Sequence, residues 1–342
     1  MCQQKFDEDW IFKTISGYDI DTIDGTPYRG VSCVRPATYL YVSQGKEKLI
    51  YKESRYWNLA ERKICLYSEK EYINRLRELV TDAIERRLNA FSGLAGAELS
   101  GGLDSGVIDI LINRSGRECY YFSWSIDPEE LKLADNDECL IIQDICKQEG
   151  ITCHYMHLGE EYDELTAECM KKAGIHVPDT GSQDLRFANP FNANTYQILV
   201  GAFKAREKGV KVMFTGHGGD EGVSHRSDLY ELFLHGEIYQ YFKQIWLTSG
   251  DKRRLIRTTK RAIKNIYNSM KNKRRTYLNW YASPDLLNSN FSKGKKKPKT
   301  GNTQFEYDPV SYIESGGSRN RPENLSFFGA ICGVRYFVPF MD

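Results

Sequence analysis

The feature that most constrains this chain is a six-residue turn, Ser100-Gly101-Gly102-Leu103-Asp104-Ser105, set between two apolar runs of different kinds. Upstream, Leu94 to Leu99 is apolar except for Glu98 and has the length of a buried strand. Downstream, Val107 to Ile112 is compatible with a helix. The order strand, turn, helix then repeats. Tyr120 to Ile126 reads as strand, Asp137 to Gln148 as helix, Ile151 to Leu158 as strand and Glu160 to Lys172 as helix. A further helix, Thr195 to Lys208, stops at Gly209 and leads into the strand Val210 to Phe214. Strands that alternate with helices pair in parallel, and the helices cover both faces of the sheet. The expected fold is therefore α/β, a doubly wound parallel sheet. Ligands of such sheets bind beyond the carboxyl ends of the strands, where the turns after Leu99 and Phe214 both belong.

The rest of the chain narrows the class. Its 342 residues suffice for one large α/β domain and a smaller piece. A formal net charge of +1 gives no reason to expect nucleic acid or a membrane as partner. The nine cysteines form no paired CxxC spacing, which argues against a disulfide scaffold or zinc ribbon and fits a reducing compartment. Asp7, Glu8 and Asp9 stand where a signal peptide needs basic residues and an apolar run. No apolar run approaches the roughly 20 residues that span a bilayer. A cytoplasmic protein is expected.

Ahead of the repeating units, Tyr28 to Leu59 is β-like: Thr38 to Ser43 forms one strand, Gln44-Gly45 turns, and Lys48 to Tyr51 returns as a hairpin. Ser68 followed by Glu71 reads as a capping box. Behind it Ile73, Leu76, Val80, Ile84, Leu88 and Phe91 recur at helical steps, predicting about five turns. Beyond Glu221 the character changes. Lys252 to Arg275 is basic with an apolar stripe at Leu255, Ile263 and Ile266, and reads as an exposed helix. Lys293 to Lys299 reads as a basic, mobile loop.

The turn at Ser100 has a chemistry of its own. Two adjacent glycines between a strand and a helix let the backbone approach an anion and aim N–H groups at it beside the positive end of the helix dipole. Asp104 belongs in an anion site only if a divalent cation bridges its carboxylate to phosphates, as oxygen ligation of Mg2+ does. A Walker loop would need a lysine followed by Ser or Thr, and none is present. The bland alternative is a tight connection between strand and helix. Taken as a whole, Ser100 to Ser105 resembles the PP-loop of the ATP pyrophosphatases, and Leu99 with Gly106-Val107-Ile108 resembles the asparagine synthetase branch.

A second loop strengthens the resemblance. Thr215-Gly216-His217-Gly218-Gly219-Asp220-Glu221 follows another strand, and its glycines again permit close approach. It is similar to the Ser-Gly-Glu-Gly-x-Asp-Glu segment of asparagine synthetases at Gly216, Gly218, Asp220 and Glu221. The family's first acidic position, tied to forming the aspartyl-adenylate, falls on His217, a group able to bind phosphate or move a proton. Phe122-Ser123-Trp124-Ser125 resembles the strand that contacts adenine, with a core aromatic as the other reading of Trp124. The closing segment, ending Pro339-Phe340-Met341-Asp342, resembles the family's Pro-Phe-Leu-Asp segment.

The resemblance implies an ATP-dependent ligase that adenylates a carboxylate, aspartate by default, releases pyrophosphate and passes the acyl group to an amine or ammonia. It implies ATP and Mg2+ as cofactors. Ser100, Gly101, Gly102 and Ser105 would hold the pyrophosphate portion, Leu99, Trp124, Thr215 and Gly216 the nucleoside, and Asp104 and Asp220 the metal, with His217 as the catalytic candidate. Residues 68–342 are expected to form the ATP-binding domain, with a helical C-terminal part. Residues 1–67 are expected to be a remnant of a glutaminase-like domain, since Tyr28 to Leu59 with Tyr56-Trp57 resembles its last hairpin. Cys2 is expected to be incidental, because that fold needs on the order of 200 residues. No match to the family's Arg-x-Lys-x-x-Phe motif is present, so the chain is expected to be incomplete at its C-terminus too. Two alternatives stay open: another acyl-adenylating ligase, such as a lasso-type peptide cyclase or a sugar-acid amidotransferase, and a catalytically silent ATP-binding subunit. A separate glutaminase subunit or a second copy is the expected partner. A tRNA-modifying PP-loop enzyme would need cysteine pairs.

Overall fold

The computed structural model describes residues 5–15, 25–46, 48–59, 64–125, 137–156, 195–223, 236–249, 256–257, 259–260, 263–264, 287–295 and 316–342. In chain order the first elements are α1 Glu8–Ile15, β1 Thr38–Gln44, β2 Leu49–Arg55, α2 Glu69–Asn89, β3 Leu94–Glu98 and α3 Leu103–Arg114. Then come β4 Cys119–Ser123, α4 Asp137–Glu149, β5 Cys153–Tyr155, α5 Thr195–Glu207 and β6 Val210–Phe214. After a π-helical turn at Gly219–Val223 follow α6 Ile238–Ser249, α7 Ser289–Ser292, α8 Gly316–Cys332, β7 Arg335–Phe337 and a 3-10 turn, Pro339–Met341. The chain divides into two compact units, Met1–Glu61 with Arg226–Ser318, and Arg62–His225 with Arg319–Asp342.

In the first unit β1 and β2 pair antiparallel from Thr38↔Arg55 to Gln44↔Leu49, and the turn closes through Gly45 N–H to the Lys48 carbonyl at 3.0 Å. Tyr39, Leu40, Tyr41 and Val42 are all exposed, so successive side chains on both faces of the ribbon lie open. Lys295 is held: its Nζ lies 3.3 Å from Glu8 and 3.1 Å from Asp9, over the Phe291 ring. The start of the segment read as a mobile loop is thus anchored by ion pairs, and 296–299 lie outside the described residues. So does most of Lys252 to Arg275. Ile263, expected in an apolar stripe there, is exposed.

The second unit is the α/β nucleus. Its sheet has the order β5-β4-β3-β6-β7, with every pair parallel. Alternation along the strands divides the core in two. Ala95 and Ala97 of β3 with Leu99 just beyond it, Tyr121 of β4, and Val212 and Phe214 of β6 pack with α2, α3 and α4 through Val80, Ile84, Leu88, Ile108, Ile112 and Ile142. On the other face, Phe122 and Met213 pack with α5 and α8 through Leu199, Phe203, Leu325 and Phe328. Helices therefore cover both faces, and the chain reverses its direction of winding between β3 and β6. That reversal is the topological switch point, the usual place for a ligand crevice.

Several elements differ from expectation. Ser68 does cap α2, accepting from the Glu71 N–H at 3.3 Å, while the Glu71 carboxylate reaches back to the Tyr67 N–H at 3.2 Å. The stripe behind it is buried only from Val80 onward: Ile73 and Leu76 are exposed. β4 ends at Ser123 rather than Ile126, and β5 is three residues long. The helix expected at Glu160 to Lys172 lies outside the described residues. α8 was hidden in sequence by Gly316, Gly317 and an internal Pro322, yet Leu325, Phe328 and Cys332 recur at helical steps and are buried. No helix of the described residues is long and apolar enough to cross a membrane. Their cysteines form no disulfide.

Candidate functional site

The site begins where β3 runs out. Leu99 is fully buried and extends the ladder by one bond, its N–H donating to the Phe122 carbonyl at 2.8 Å. The chain then turns back on itself around one hydroxyl. Ser105 Oγ accepts from the Ser100 N–H at 3.2 Å, lies 2.8 Å from Ser100 Oγ and donates to the Gly102 carbonyl at 3.3 Å. Ser100 Oγ in turn accepts from the Gly102 N–H at 3.3 Å. Gly101 has φ +78°, and a Cβ there would stand 2.9 Å from the Glu138 carbonyl oxygen, so only glycine fits. Gly102 caps α3 without a side-chain acceptor, which leaves first-turn N–H groups at the positive end of the helix for an anion.

The second loop arrives from β6. Thr215 is buried, donates its N–H to the Phe337 carbonyl at 3.1 Å and accepts from the His217 N–H at 3.4 Å. Here the glycines are defined by what presses on them. A Cβ on Gly216 would stand 2.5 Å from the Ser105 nitrogen, and one on Gly219 would collide with the Asp104 carboxyl group. Gly218, at φ +95°, has Met341 Cγ 2.6 Å from its Cβ position. The two loops thus touch along their backbones. The Asp104 carboxyl group lies on Gly219, the residue before Asp220. His217 is half-buried on the same loop.

The closing segment backs this loop. Asp342 pairs with both terminal nitrogens of Arg87 on α2, and the Arg87 guanidinium lies 5.4 Å from the centre of the Phe337 ring. Trp124 is placed differently from the other candidates. It follows β4, is half-buried, and its ring packs so closely on α5 that a Cβ on Gly201 would stand 2.7 Å from it. That contact belongs to the core of the α5 and α8 face.

Among the described residues no group of three or more His, Cys, Asp or Glu side chains could hold a metal ion. This donor set suits Mg2+ all the same, which takes one or two carboxylates and completes its shell with phosphate oxygens and water. A zinc site would need more protein ligands.

Sequence reasoning passed over two buried carboxyl groups near the first loop. Asp109 on α3 is fully buried with neither side-chain oxygen partnered, and burial, then the Glu98 charge, push its pKa well above the usual range. Glu98 itself, the one acid in an apolar strand, is 3.6 Å from Arg321 on α8. The signal for both was a charge inside an otherwise apolar run.

Residues 75–306, more than half of the chain, match the family model described as asparagine synthase. No curated protein sequence matches the chain.

Proposed function

Because the chain belongs to the asparagine synthase family, we propose that it is an ATP-dependent amide-forming ligase that activates a carboxylate as its adenylate. A carboxylate oxygen attacks the α-phosphorus, the bond to the bridging oxygen breaks, and pyrophosphate leaves. A nitrogen nucleophile then attacks the acyl carbon, loses a proton and displaces AMP. Ser100, Gly101, Gly102 and Ser105 hold the pyrophosphate portion through hydroxyls and N–H groups, which take up charge as it departs. On this reading Leu99, Thr215 and Gly216 contact the nucleoside from the loop ends, and Trp124 contacts it from the α5 and α8 face. Asp104 and Asp220 would hold Mg2+, which would supply Lewis acidity and a template for the phosphates.

The observation that carries this proposal is the contact of the two loops. Gly216 and Gly219 are pressed against Asp104 and Ser105 without room for a methyl group. That contact sets the loop carrying Asp220 against the loop carrying Asp104 and Ser105 at the switch point of the sheet, which supports a shared site. Aspartate is the default acyl substrate. The runner-up is a peptide or a sugar acid, for which His217 speaks because it stands where asparagine synthetases carry a carboxylate and is suited to taking the proton from the incoming nitrogen.

The test is magnesium-dependent exchange of labelled pyrophosphate into ATP in the presence of candidate carboxylates. Exchange is expected, with a loss of at least about a hundredfold on Asp104→Asn or Asp220→Asn, as for removal of a transition-state contact. Nucleotide binding without exchange for any acid tried would favour a silent ATP-binding subunit.

A further inference from the structure

A buried polar cluster at the same end of the sheet is left unused by the proposed mechanism. Glu98, the last residue of β3, is 7% exposed and pairs with Arg321 at 3.6 Å. Nε of Arg321, both ends of the Asn324 amide and the Tyr336 hydroxyl have no hydrogen-bond partner among the described residues. Asn324 is 1% exposed and sits three residues after Arg321, on the same face of α8. Tyr336 feels the charges of both Glu98 and Arg321, and its burial first, then Glu98, keep the phenol protonated as a donor. Polar groups shut away from water without partners are costly, and several together point to a polar occupant. The Arg321 side chain pairs with Glu98 yet remains 38% exposed, so it is within reach of a ligand from solvent.

The position is informative. α8 precedes the parallel strand β7, so its first turns lie at the carboxyl edge of the sheet, and Arg321 is in the second turn. Glu98 is two residues before Ser100 and points to the face opposite Leu99, the face on which Trp124 packs. A nucleotide with its base beside Trp124 and its outer phosphates on the first loop has its α-phosphoryl group between them. That group most needs a cation. The first loop has no lysine, and Asp104 and Asp220 add negative charge where one anion must attack another.

Resting on the nucleotide placement proposed above, we infer that Arg321, oriented by Glu98, receives the α-phosphoryl group of the bound nucleotide. Glu98 is then a positioning residue, and Arg321 a binding residue of the adenylation step.

Calorimetric titration of the full chain with AMP and with adenosine tests this, because the two probes differ only by that phosphoryl group. Wild-type protein is expected to bind AMP at least about tenfold more tightly than adenosine, as for a charge-assisted contact. The single change Arg321→Met would strand the Glu98 carboxylate, so the double variant Glu98→Gln with Arg321→Met is the informative one. It is expected to bind adenosine as wild type does and to show no more than about a twofold AMP advantage, while Arg321→Lys keeps an intermediate one. An AMP advantage absent from wild type, or undiminished in both variants, overturns the inference. A wild type that shows the Arg321-dependent advantage yet fails pyrophosphate exchange sinks the ligase proposal alone. Exchange that needs Asp104, combined with indifference to Arg321, sinks only the present one.

Discussion

The two loops at the switch point differ in what fixes their shapes. The loop after β3 is closed by its own atoms: one hydroxyl, Ser105 Oγ, ties Ser100 to Gly102. The loop after β6 also has bonds of its own, Gly219 N–H to the Gly216 carbonyl at 3.2 Å and His217 N–H to Thr215 Oγ1 at 3.4 Å, but its glycines are dictated by their surroundings, with Ser105 and Asp104 beneath Gly216 and Gly219 and Met341 against Gly218. A self-closed loop is written in a contiguous motif. A loop moulded by neighbours is written in glycines whose meaning appears only when the neighbours are known.

The contrast can be broken most directly at Gly219. Gly219→Ala places a methyl group on the Asp104 carboxyl and is expected to lower pyrophosphate exchange at least about a hundredfold, through displacement of about an ångström at the reacting centre. Gly102→Ala meets only Ser100 Oγ at 3.3 Å and has an ordinary φ of −75°, so its effect is expected to be much smaller. Equal losses in the two variants would show that the second loop is not moulded by the first.

Ser105→Ala removes the hub of the self-closed loop. An unfolding free energy lower by about 1 kcal/mol is expected in urea melts, from the lost hydrogen bonds, with a drop in exchange smaller than that of Gly219→Ala. An unchanged melt would mean that the loop does not depend on its own hydroxyl.

The smallest effect concerns the helix on which the first loop stands. The pKa of Asp109 is raised in the fold, so the unfolded chain releases its proton at lower pH than the native one. The native state is therefore unpenalised below the ordinary value of 3.8 and loses stability as pH rises from there towards the folded pKa. Asp109→Asn removes that loss. Its melting temperature relative to wild type is expected to be higher at pH 7 than at pH 4. A constant difference across that range would show that the buried carboxyl group is not stored in its neutral form.

Legibility followed the same division. Ser100 to Ser105 and the strand before it could be read because local period, glycines and hydroxyls all agree over a short stretch. The order of helices and strands was readable for the same reason. α2 misled in its first half, since a helical stripe shows which residues share a face and not how far a neighbour extends along it; the packing stops before Leu76. α8 was unreadable because glycines and Pro322 oppose a helix locally, and tertiary burial of Leu325, Phe328 and Cys332 outweighs them. Glu98 was visible as a lone acid, but its partner Arg321 is remote in sequence, and no period links them.

The strand order has a consequence for how the molecule comes into being. β3, β4 and β5 are consecutive in the chain and can associate early, whereas β3 meets β6 only when Leu94 finds Val210. Distant pairings form slowly, because chain closure must precede the contacts that reward it. A nascent chain that has made β3 to β5 already owns the first loop, but the second carboxylate arrives only with β6 and its backing only with β7. On the proposed assignment, competence to hold a metal-bound nucleotide is a late event in folding, and such a ligand would stabilise the finished sheet in preference to its precursors.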